Sequence, residues 1–109
     1  MMKCEGDWHG EPLEKKMKTE LIEIKKSMQS DIEYLQNLGP RNSENDTSYK
    51  QLRQCEEWIK QRWESQGYVV KKQTVPIKEK EFSNLEIEIK GRELPSEIII
   101  ISAQYDTLP

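Results

Sequence analysis

The chain has 109 residues, room for one small domain, and 34% of them are hydrophobic while another 34% are charged. A self-sufficient domain is usually closer to half apolar, so the composition predicts a thin core. The net charge of −3 comes with acids and bases interspersed and no basic block, which argues against a nucleic-acid surface. The longest apolar run, Ile98–Ile101, is far too short to cross a membrane.

Residues 1–12 are polar, contain Gly6, Gly10 and Pro12, and read as a flexible tail. The tail carries Trp8 and the sole histidine, His9, expected to be solvated. It has no apolar signal region, so the default compartment is the cytoplasm. Cys4 and Cys55 are far apart and share no CxxC spacing; no disulfide framework is expected, and Cys55 reads as a small buried hydrophobe.

From Leu13 to Leu38 the apolar residues Met17, Leu21, Ile24, Met28, Ile32, Leu35 and Leu38 recur at spacings of 4, 3, 4, 4, 3 and 3, one stripe of an amphipathic helix. Such a stripe lies on a core or, in the rival reading, forms a coiled-coil seam of minimal length. Gly39-Pro40 ends the helix. After the polar loop 41–47, Ser48 with Gln51 three residues later fits a capping box. The second helix then aligns Tyr49, Leu52, Cys55, Ile59 and Trp63 on one face and closes at Gly67.

Beyond Gly67 the period becomes strand-like. Tyr68–Val75 is β-branched and aromatic and stops at Pro76; the mixed charges Lys78-Glu79-Lys80-Glu81 read as solvated loop; Leu85–Ile89 alternates as a half-buried strand should. Ile98–Ile101 is apolar at every position, the pattern of a strand covered on both faces. Polar residues then emerge at Ser102–Pro109, where open α/β sheets bind ligands. In the plain structural alternative a strand simply ends there, with Asp106 or Thr107 capping the next element.

The segment "IIIISAQYDTLP" (residues 98–109) resembles the strand bearing the first zinc motif of the di-zinc aminopeptidases, the leucyl-aminopeptidase and glutamate-carboxypeptidase type of zinc exopeptidases. "YLQNLGPRN" (34–42), "CEEWIKQRWESQGYVV" (55–70) and "SNLEIEIKG" (83–91) resemble upstream pieces of that family in the same order. The resemblance implies an α/β chain: two N-terminal helices and then three strands, the start of a mixed-sheet fold that is incomplete. Residues 13–109 would form the N-terminal part of that domain.

It further implies a site built on two zinc ions and peptides as the family's substrates. The family's first metal-ligand histidine falls on Gln104, whose neutral amide is a poor zinc ligand. Its next motif acid, which orients that histidine, falls on Asp106. Tyr105 and Thr107 match the motif without ligating. The remaining ligands and the glutamate base have no counterpart in the sequence, so no metal site and no catalytic residue is expected here. The expectation is therefore a truncated, aminopeptidase-like protein that does not cut peptides and needs no cofactor. An alternative is a non-catalytic interaction module derived from the peptidase fold, taking a protein partner along an exposed sheet edge. An active hydrolase completed by another chain and a helical coiled-coil protein with a β tail are two further readings.

Overall fold

The computed structural model describes residues 11–109, with side chains from Leu13 onward. Trp8, His9, Cys4 and the first ten residues of the expected tail lie outside the described residues. The described residues divide into two units, the first ending at Asn37 and the second spanning 38–109.

In the first unit a helix, α1, runs over Glu11–Leu38, beginning two residues before the position the apolar spacing suggests. Its stripe is uncovered: Leu13, Met17, Leu21, Ile24, Met28 and Ile32 are each 49–63% exposed. Neither this helix nor any other among the described residues is long and apolar enough to cross a membrane.

Near the start of the second unit, Gly39 follows the end of α1 with a φ of +91°, the left-handed conformation that an L side chain resists. A Cβ there would also press on the Gln51 side-chain amide at 3.3 Å. The next helix, α2, spans Asp46–Ser65. Its cap is Asn45, whose side-chain oxygen accepts the Ser48 N–H at 2.8 Å; Ser48 is thus the donor that is capped and not the cap, and the expected Ser48–Gln51 box lies three residues too late. At the other end Gly67 takes φ +92°, and its N–H and that of Tyr68 bond to the carbonyls of Glu64 and Trp63.

Strands β1 (Lys71–Ile77) and β2 (Lys80–Glu86) form an antiparallel hairpin that pairs Ile77 with Lys80. The Lys78-Glu79 turn has φ of 49° and 68°, both left-handed as a two-residue hairpin turn requires, here without the usual Asn or Gly. Pro76 sits opposite Glu81. The Glu81 N–H and C=O bond instead to the Tyr49 hydroxyl, at 3.1 and 3.0 Å. The donor that Pro76 lacks is therefore not needed on that rung. The edge of the Tyr49 ring against Phe82, centroids 6.0 Å apart, ties α2 to β2.

The fold departs from the expected three strands of a mixed sheet. Two helices are followed by two antiparallel strands in one sheet, a small helix-plus-hairpin fold. The first strand begins later than Tyr68 and runs through Pro76. The second begins earlier than Leu85, and half of the supposed Lys78–Glu81 loop is its start. Ile98–Ile101 belongs to no strand, and its side chains are 80–95% exposed. A strand buried on both faces needs a neighbour's ladder. The outward-facing groups of β2 at Glu81 and Ser83 are already bonded to the Tyr49 and Tyr105 hydroxyls, so this edge is occupied at those positions.

Candidate functional site

The residues singled out at the end of the chain line a cleft of about 550 Å³. Its lining includes Leu52 of α2, Phe82 and Asn84 of β2, and Gln104, Asp106 and Pro109 of the C-terminal segment. The C-terminal segment is fastened to the Gly39–Asn42 turn. The Arg41 N–H donates to the Thr107 hydroxyl at 2.9 Å, and the Thr107 N–H donates back to the Arg41 carbonyl at 2.7 Å. The Arg41 guanidinium donates through Nε to the Tyr105 carbonyl at 2.8 Å and through Nη1 to the Gly39 carbonyl at 3.0 Å. Buried Asn42 donates to the Leu108 carbonyl at 3.2 Å, while its Oδ1 accepts the Glu44 N–H. With a charged donor and a reciprocal pair of bonds between Arg41 and Thr107, one to the main chain and one to the side chain, the contact is specific as well as polar.

Alternation along this extended segment sends its side chains to opposite sides. Tyr105 and Thr107 are half-buried, while Gln104 and Asp106 are exposed. The Tyr105 hydroxyl donates to the Ser83 carbonyl at 2.5 Å. Burial pushes the Tyr105 phenol up from its ordinary 10.0 to about 12, and the nearby Glu56 charge adds to the rise. Its neutral form is thus the one the fold holds. Stability from this group is complete below pH 10 and is lost as the pH climbs through about 12. Replacing Tyr105 with Phe is expected to flatten alkaline unfolding over that window. It should also cost about 1–2 kcal/mol at neutral pH, because the Ser83 carbonyl loses its donor. Urea titrations at neutral and alkaline pH measure both.

Beside Tyr105 is a charge cluster that the sequence did not reveal. Glu56 has a side chain only 4% exposed and lies 3.1 Å from Arg53 Nη1 and 2.5 Å from Lys72 Nζ. Cys55, the neighbouring residue, is fully buried, as its place on the α2 face predicts; burial pushes its thiol up, opposed by the Arg41 charge. In sequence, Glu56 is one acid among many on a charged helix. The only local hint is Arg53 one turn before it, and Lys72 reaches it from a different element.

This chemistry does not suit a di-zinc pair. Gln104 offers an amide and Asp106 points into solvent-accessible space. Among the described residues, no three His, Cys, Asp or Glu side chains converge where they could hold a metal ion. No family model, curated protein or solved structure matches this chain.

Proposed function

We propose that this chain is a zinc-aminopeptidase-like protein that does not hydrolyse peptides itself and works by binding a protein partner. The observation that carries the reading is the reciprocal Arg41–Thr107 bonding. It joins two of the four segments that resemble the peptidase family, "LGPRN" and "QYDTLP", although they lie 66 residues apart. The resemblance thereby gains a spatial relation between its pieces. Gln104 stands at the rim of the cleft where the family's first metal-ligand histidine would be, and an amide there neither binds zinc well nor activates water. Exposed Ile98–Ile101 offers four apolar side chains to a partner that adds as a strand. Residency in the cytoplasm belongs to the same proposal.

Calorimetric titration of the full chain with zinc is expected to show no stoichiometric uptake, and aminoacyl chromogenic substrates are expected to remain intact. Gln104→His alone should change neither result, since one imidazole cannot hold two cations. Tight uptake of two zinc ions per chain, or hydrolysis by either form, would overturn the proposal.

A further inference from the structure

The uncovered stripe of α1 has the geometry of a seam. Met17, Ile24, Asp31 and Leu38 fall at every seventh residue, and Leu21, Met28 and Leu35 fall at every seventh residue between them. These are the d and a positions of a heptad repeat over three heptads. Met17, Leu21, Ile24 and Met28 are all more than half exposed. A helix of 28 residues whose stripe is exposed from Leu13 to Met28 and only half-buried at Asp31, Leu35 and Leu38 gains little from its own propensity, because helices in water depend on packing of their apolar face.

The charges flanking the seam select the occupant. The g position before Leu21 is Glu20 and the e positions after Met17 and Ile24 are Lys18 and Lys25. In a parallel, in-register pair a g residue meets the e residue five positions later on the other helix. Glu20 then faces Lys25 of a second copy, and the two-fold axis makes that pair twice. In the same register Leu13 meets the aliphatic stem of Lys18, and Ser27 meets Ile32. An antiparallel pair would instead set e against e, bringing the lysines together. The one polar seam residue, Asp31, faces its own counterpart only in the in-register alignment. Any heptad shift would place it against Ile24 or Leu38 instead. Two facing carboxylates repel, so Asp31 lowers the stability of the pair, and the register rests on the Glu20–Lys25 contacts.

We infer that α1 is a self-association surface: two copies of this chain pair through a parallel coiled coil of Met17–Leu38, with Glu20–Lys25 contacts across it. The inference is independent of the peptidase resemblance. Sedimentation equilibrium of the full chain over a wide concentration range tests it. A monomer–dimer equilibrium is expected. Ile24→Lys should abolish it, and Glu20→Lys should weaken it roughly ten-fold, since two attractive pairs become repulsive. Combining Glu20→Lys with Lys25→Glu should restore the original affinity. Near-ultraviolet circular dichroism confirms that the α2–hairpin unit of each variant is unchanged. A monomer at every concentration overturns the inference. So does a dimer that survives Ile24→Lys, a double charge swap that fails to rescue, or association removed only by Ile99→Lys with Ile101→Lys.

Discussion

Replacing Lys72 with Met is expected to lower the unfolding free energy by about 2–3 kcal/mol, at the low end for a broken buried ion pair. The reason is an asymmetry of burial. The Glu56 side chain is 4% exposed, whereas Lys72 and Arg53 are 33% and 34% exposed. Loss of a cation strands a carboxylate that water cannot reach, with Arg53 as its remaining partner. Loss of the anion instead leaves two cations that can turn toward solvent. Glu56→Gln should therefore cost less than Lys72→Met, on the order of 1 kcal/mol, because the amide oxygen still accepts from Arg53. Equilibrium urea denaturation of the two variants gives the order directly. If Glu56→Gln is the more damaging change, the burial of the carboxylate is not what sets the energetics.

Leu52→Ala is expected to cost about 3 kcal/mol, as truncation of a buried leucine does when its surroundings cannot collapse. Leu52 and Cys55 are the buried apolar residues among those described, so few neighbours can shift to fill the space. A unit of about seventy residues is worth only roughly 4–10 kcal/mol in total, so the variant should lose a large part of its margin. Thermal unfolding followed by circular dichroism should show a midpoint lowered by about 15 °C or more. A drop of only a few degrees would mean that the cleft side of Leu52 relaxes freely.

The helices were legible because periodicity is local: both apolar stripes, the Gly39 and Gly67 stops and the burial of Cys55 follow from residues within one or two turns. The cap sits three residues before the Ser48 box because Asn45 and Ser48 are both good cap residues, and only the direction of the hydrogen bond separates them. The hairpin turn was hidden because Lys78-Glu79 adopts a left-handed turn without Gly or Asn. Pro76 looked like a terminator because its rung partner Glu81 and the rescuing Tyr49 are far apart in sequence. Ile98–Ile101 carries the composition of a sheet interior, but a strand is a relation between segments, and the neighbouring ladder is not supplied by β2. Of the candidate site, Gln104 and Asp106 stand out through the resemblance, whereas Glu56 has no mark in the sequence. Its burial depends on Lys72 and Tyr105, and no local pattern encodes either contact.

The tie between Arg41 and Thr107 has a mechanical meaning. It fastens the second unit near both of its ends, so that α2 and the hairpin sit inside a non-covalent ring closed between residues 66 apart. Closing so long a ring in an unstructured chain carries an entropic cost on the order of 4 kcal/mol. The clasp therefore sets only after helix and hairpin have shortened the path between its two halves. Under tension applied at the chain ends of this unit, it is also the first joint to bear load.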